Sequence, residues 1–272
     1  MSNFYKDWLA RSAALDDRMK RARIVARATE LAWIETEQDA RSAVLIGEAA
    51  GFETSGTTLA KAEVPVGWRT GRHAHGEEAI HVLAGTGFAV IDGARYDWKP
   101  GTTLHVPYRA EHQLVSTGSD TAVYLSAHTI ELDFGVKLGR LIQLEPKGKD
   151  DGSLARRYPK ETSQFAADGR RIVLHLEDAM DENARRMAGH AHPNAKADKG
   201  AHRHAGIWIH SLIDGERYEW QAGDAIHVPP RMTHHGHFND SDQRARTLRV
   251  EFGIRYFYEA LWPGYQKIKD NS

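Results

Sequence analysis

The sequence predicts an all-β chain of two consecutive barrel or sandwich domains behind an N-terminal helical segment. Three observations carry that expectation. Short apolar runs separated by Gly and Pro recur about every eight to twelve residues, the rhythm of strands in a barrel or sandwich. A seventeen-residue stretch occurs twice: IDGARYDWKPGTTLHVP (91–107) and IDGERYEWQAGDAIHVP (213–229) lie 122 positions apart and share Ile, Asp, Gly, Arg, Tyr, Trp, Gly, His, Val and Pro. Two histidines at i and i+2, His73 and His75, precede the first copy, and His112 follows it after a Pro-containing turn.

The chain has 272 residues, enough for two ordinary domains, and 41% of them are hydrophobic, enough for two cores. Lys and Arg number 36 against 37 Asp and Glu, so no net field draws in nucleic acid or anionic lipid. The absence of cysteine excludes disulfides, thiolate metal sites and Cys nucleophiles, so any metal must be held by nitrogen and oxygen. No run of eighteen apolar residues and no apolar leader is present, which reads as a cytoplasmic protein with no membrane partner.

Residues 4–32 read as a helix, because Trp8, Leu9, Leu15, Met19, Ile24 and Val25 recur at three- and four-residue steps without Gly or Pro. Residues 31–50 and 57–66 read as strands flanking the first barrel, completing an N-terminal segment of 1–60. The first barrel spans 61–145. In it AIHVL, FAVIDG, RYDW, TLHVP and QLVST alternate with turns, and Trp68, Phe88 and Trp98 read as core. The charged, Gly- and Pro-rich stretch 146–170 reads as a linker, and 171–272 as the second barrel.

On a strand, His73 and His75 leave the same face and can meet at one ion, which His112 can join as a third ligand. If the strand alternates regularly, Glu77 faces inward with them; if Gly76 forms a bulge, Glu78 does. With neither, the ion has three histidines only. His128, His175 and His190 read as surface polar groups.

Gly67, five residues, His73-x-His75, Glu78, six residues, Gly85, then Pro107 and His112 five positions on, resemble the two consecutive motifs of the cupin superfamily. The chain departs from them in two places: Arg109 stands where the second motif usually has Gly, and Glu78 follows the second His by three residues instead of four or five. The gap from Glu78 to Gly85 favours Glu78 over Glu77 as the acidic ligand. The resemblance implies two jelly-roll barrels, a bicupin, assembled as a homo-oligomer. It also implies a divalent transition metal, Fe(II) foremost, with Mn(II), Ni(II) and Zn(II) as alternatives.

In the second repeat HRHAGIWIHSL (202–212) overlies HAHGEEAIHVL (73–83) at an offset of 129, making His202 and His204 the metal pair in preference to His190 and His192. The third ligand is His234, five residues after Pro229, with His235 or His237 taking its place if the turn is shifted. The change of offset from 129 to 122 predicts a second barrel without the hairpin extension formed by Ala84–Val90, and Ile207 replaces Glu78. This three-His set resembles the gentisate 1,2-dioxygenase branch of the superfamily.

The function expected is an Fe(II)-dependent dioxygenase that takes O2 and cleaves a C–C bond in a small hydroxylated aromatic acid or related oxygenated compound. Arg69, Arg72 and Arg109 are candidates for the substrate carboxylate, since a guanidinium fork binds it bidentately. Two alternatives stand beside it: a Mn- or Zn-type decarboxylase, isomerase or lyase, favoured if Glu78 is a ligand, and a non-catalytic small-molecule-binding module.

Overall fold

The computed structural model describes residues 3–160, 163–175, 209–230, 235–239, 247–248 and 250. The chain is all-β behind an N-terminal helix, α1 (Phe4–Arg21). Asn3 caps α1, its side-chain oxygen accepting from the backbone N–H groups of Tyr5 and Lys6, and Arg18, Lys20 and Arg21 suit the negative end of the helix dipole. The helix stops eleven residues before the predicted end. Residues beyond it find a strand partner: β1 (Val25–Ala26) pairs antiparallel with β17 (Ala225–Ile226). Asp224 fastens the same turn by accepting from Arg27 Nη1 and from the backbone N–H of Ala28, each at 2.9 Å. Among the described residues no helix is long and apolar enough to cross a membrane.

The chain falls into two compact units, one drawn from residues 1–31, 45–55 and 202–249 and the other from 32–44, 56–201 and 250–272. After β2 (Arg41–Ile46), which begins in the second of these, its strands run β3 (Thr58–Val64), β4 (Trp68–Arg69), β5 (Arg72–Ala74), β6 (Glu78–Ala84), β7 (Gly87–Ile91), β8 (Ala94–Trp98), β9 (Thr102–Val106), β10 (His112–Ser116) and β11 (Ala122–His128). Then come α2 (Ile130–Gly135), β12 (Ile142–Glu145), β13 (Gly148–Lys149), α3 (Ser153–Arg157) and β14 (Val173–His175). They form two sheets. One has the order β14-β9-β6-β11-β3-β2; in the other, β12-β5-β10-β4-β13 is extended by β7 and β8 through β10.

The core lies between the sheets. Ile80, Val82, Leu104, Val106 and Tyr124 from one meet Ala89, Ile91, Tyr96, Trp98 and Leu114 from the other, and Trp68 packs against them from the edge. Alternation inward and outward along β6 and β9 follows from the period of two, whereas β7 and β10 are buried at every position. The reason is α3, whose Leu154 and Ala155, with Tyr158, cover the outer side chains Phe88, Val90 and Val115. Part of the stretch whose composition reads as a linker builds onto the first barrel, α3 through this packing and β13 by pairing with β4, and so does the start of the expected second barrel: β14 pairs with β9, and Ile172 and Val173 enter the core. Charge, Gly and Pro between its short elements hide this from a composition reading.

In the second repeat the described strands are β15 (Ile209–Ile213), β16 (Glu216–Trp220), β17 and β18 (His235–Asn239). The β15–β16 hairpin turns at Asp214–Gly215 and has the length of β7–β8, which turns at Asp92–Gly93; all four turn residues have positive φ, as a two-residue reversal demands. The counterparts of Gly87–Val90, expected to be lost, are therefore present, and those of Ala84–Thr86 lie outside the described residues. Pairing makes β15 the counterpart of β7, between its own hairpin partner and β18, although its letters IHSL match IHVL of β6. Any shortening must fall upstream of Ile209. By register Ile91 faces His112 and Ile213 faces His235, while His234 lies outside the described residues.

Candidate metal centre

Three strand ends bring four side chains together. His73 lies on β5 and is the direct partner of His112, the first residue of β10, so the two share a face. His75 follows two residues after His73 on that same face, and Glu78 opens β6. Every other residue from Arg72 to His75 points inward by strand alternation, but the chain bends at Gly76, and that bend carries Glu78 in and leaves Glu77 out. One ligand atom from each of His73, His75, Glu78 and His112 lies within 4.8 Å of the others, and all four residues are buried. The His73 and His112 ring centroids are 4.1 Å apart, with His75 at 4.9 and 5.0 Å from them.

The proton placement around these rings suits a cation. His73 Nδ1 is 3.2 Å from Gly71 O, His75 Nδ1 is 2.9 Å from Gly76 O, and His112 Nδ1 is 3.0 Å from Ala110 O. A carbonyl only accepts, so each Nδ1 is assigned the N–H, and each Nε2 is left with a lone pair aimed at the centre. Glu78 Oε1 accepts from the Ser126 hydroxyl. Its Oε2 lies 3.0 Å from His112 Nε2, a separation that suits a hydrogen bond, yet neither atom makes one. Two buried lone-pair atoms facing each other without a proton between them are costly, and a shared ion resolves the cost. Three imidazoles and one carboxylate fit a divalent transition metal and do not choose among Fe, Mn, Ni and Zn.

Without the ion, the two paired imidazoles shift in opposite directions. Burial, with the neighbouring His112 and His75, pushes the His73 imidazole down to about 3 and keeps it neutral. Burial also opposes charge on His75 and on Glu78. It is outweighed at both by their contact at 3.3 Å, which raises the imidazole and, with His112, holds the carboxyl well below its usual range.

The other predicted residues lie elsewhere. Glu77 pairs on the outside with His105 at 2.7 Å. Arg72 alternates with His73 and points away from the cluster to Glu111 and Glu145, while Arg69 reaches Glu145 and Pro146 O. Both are engaged by protein groups and do not converge on the site. Arg109 is exposed, with its guanidinium over the Tyr108 ring. Its φ of +65° explains why glycine is usual there, and its backbone N–H donates to His75 O at 2.7 Å, tying the Pro107 turn to the paired histidines. His202, His204 and His234 lie outside the described residues, as do His190 and His192.

Sequence reading missed the inner face of β11. Tyr124, Ser126 and His128 project from it at every second position: Tyr124 donates to the buried Asp39 carboxyl, Ser126 holds Glu78, and the His128 ring lies 5.9 Å from that of His75. His128 is thus not a surface group, and His175 is half-buried against the Thr102 hydroxyl at 3.0 Å. The spacing Y-x-S-x-H at a strand period is the signal that betrays this face.

Comparison with known proteins agrees with the geometry. Residues 60–128 match the family model of the cupin domain. That stretch is a cupin domain. An uncharacterized protein of Methanocaldococcus jannaschii is 34% identical over 64 residues, 23% of this chain and 51% of its own length, so the match spans about half of that relative. Beyond the cupin domain, the fold resembles salicylate 1,2-dioxygenase from Pseudoaminobacter salicylatoxidans, solved with gentisate adducts: 11% identity, TM-score 0.54, covering 88% of this chain and 86% of the enzyme. A variant of that enzyme in complex with gentisate gives 12% identity and a TM-score of 0.50 over 81% and 83%.

Proposed function

We propose that the protein is a metal-dependent dioxygenase that cleaves a C–C bond in a small hydroxylated aromatic acid or related oxygenated compound, with Fe(II) held by His73, His75, Glu78 and His112. The convergence of four buried ligand atoms, with Glu78 Oε2 and His112 Nε2 in contact but without a hydrogen bond, carries the reading. Its fold likeness to a dioxygenase over most of the chain supports it. When bound, the ion would offer its remaining positions to an anionic substrate oxygen and to O2, whose two oxygen atoms enter the two carbon ends as the bond breaks, so no further reductant is needed. The chain's own part is to fix the donors. Gly71, Gly76 and Ala110 carbonyls hold the imidazole tautomers, Ser126 orients the carboxylate, and the sheets exclude bulk water from the cluster.

A second reading is favoured by Glu78 itself. A fourth protein ligand fills a position and lowers the charge of the site, which suits a Mn- or Zn-type decarboxylase, isomerase or lyase that needs no O2.

One experiment separates them. Apo-protein is loaded with Fe(II), Mn(II), Ni(II) or Zn(II), and O2 uptake and ultraviolet changes are followed across hydroxybenzoates, catechols, hydroquinones and diketones. The dioxygenase reading expects Fe(II)-dependent substrate loss matched by O2 uptake. Turnover unchanged without O2, or best with Zn(II), moves the conclusion to the second reading.

A further inference from the structure

Of the three polar side chains on the inner face of β11, two are spent within the protein. Tyr124 donates to Asp39, and Ser126 donates to Glu78. His128 is not spent: its Nδ1 is buried and has no hydrogen-bond partner. Strand register fixes where it points. His128 is the direct cross-strand partner of Glu78, so the imidazole and the carboxylate leave the same face, and the His128 ring sits 5.9 Å from His75 at 57°. It is nonetheless not one of the four residues whose donor atoms converge. The next element, α2, supplies a second buried polar atom without a partner on the same side. This is Asp133 Oδ2, packed so close over Gly76 that a Cβ there would lie 2.0 Å from it. Buried polar groups are normally paired, and two unpaired ones flanking His75 mark a place where a partner is brought from outside.

We propose that His128 binds the small molecule held at the metal centre through a hydrogen bond to one of its oxygen atoms, and so selects oxygen-rich ligands without touching the metal. This rests on the reading of His73, His75, Glu78 and His112 as a metal site. The class of ligand follows from the chemistry. A buried imidazole nitrogen beside a metal site would pair well with a second oxygen of a molecule whose first oxygen is on the ion, as in a catecholate, a salicylate-type acid or an enolised diketone.

The test uses the full chain loaded with Co(II), whose absorption reports its coordination, and catechol as the probe. Wild type, His128→Leu and His128→Gln are compared for bound metal, thermal midpoint and catechol dissociation constant. Expected are equal metal content and midpoint in all three, a dissociation constant raised about tenfold in His128→Leu, and recovery to within about threefold in His128→Gln, which keeps a hydrogen-bonding group. Catechol binding by His128→Leu within about twofold of wild type, loss of Co(II) from that variant, or no catechol binding by Co(II)-loaded wild type overturns the proposal. Failure of wild type to take up Co(II) is a different result: it overturns the metal reading, and this inference with it.

Discussion

The Ser126 hydroxyl donates to Glu78 Oε1 and so turns Oε2 to face His112 Nε2 at 3.0 Å. One carboxylate thus has one oxygen committed to the protein and the other left for an ion. Groups that orient ligands in this way typically account for about 10- to 100-fold in metal affinity. Ser126→Ala should therefore weaken metal binding by about that factor in chelator competition, with the fold intact. Unchanged affinity would show that Glu78 is held without Ser126.

Replacing His73 or His112 by Ala should empty the site. Both rings are buried in a barrel whose core does not depend on the ion, so the variants should stay folded while elemental analysis finds them depleted. A His73→Ala protein as metal-loaded as wild type would place the metal elsewhere.

Asp39 makes stability depend on pH. Burial, opposed by the Tyr124 hydrogen bond and aided by the Glu78 charge, lifts its carboxyl from 3.8 to about 7. Between those values the folded chain keeps a proton that the unfolded chain has released, so stability falls as pH rises through the window. The whole loss is on the order of a few kcal/mol. Asp39→Asn, neutral at every pH, should flatten that part of a stability-against-pH curve measured by urea unfolding. A slope that persists in Asp39→Asn assigns the dependence to another group.

Gly87 sits where β7 passes closest to β10 and the Trp98 ring. A Cβ there would lie 1.9 Å from Val115 O and 2.5 Å from Trp98 Cζ2, both fixed in the sheet. Gly87→Ala should cost about 3 kcal/mol, seen as a clear drop in the thermal midpoint, because backbone and a buried indole cannot step aside. An unchanged midpoint would mean that the strand shifts freely.

Much of the site was legible because its signals are local. The His73-x-His75 spacing needs only a strand, and the six-residue gap from Glu78 to Gly85, shared with the cupin motif, pointed to Glu78 where strand alternation alone left Glu77 open. What stayed hidden depends on pairing between distant strands. Arg69 and Arg72 look like free cations in a string of letters; only the sheet shows Glu111 and Glu145 beside them. The likeness of IHSL to IHVL suggested β6, but the hydrogen-bond ladder gives that segment the place of β7. A strand's identity lies in its neighbours, and short apolar runs resemble one another too closely to reveal them. His128 was missed for the related reason that its partner, Glu78, is fifty positions away.

The pairing of β1 with β17 has a consequence in time. Val25 meets Ile226, 201 positions later. On a ribosome that adds residues at about 5 to 20 per second, the first edge waits roughly ten seconds or more for its complement to be made. The sheets containing β3 to β11 draw all their strands from a much nearer span and can close in the meantime. A nascent chain halted before residue 225 should therefore resist protease across residues 60–128 and be cut readily near residues 22–30, where an edge strand still lacks its mate.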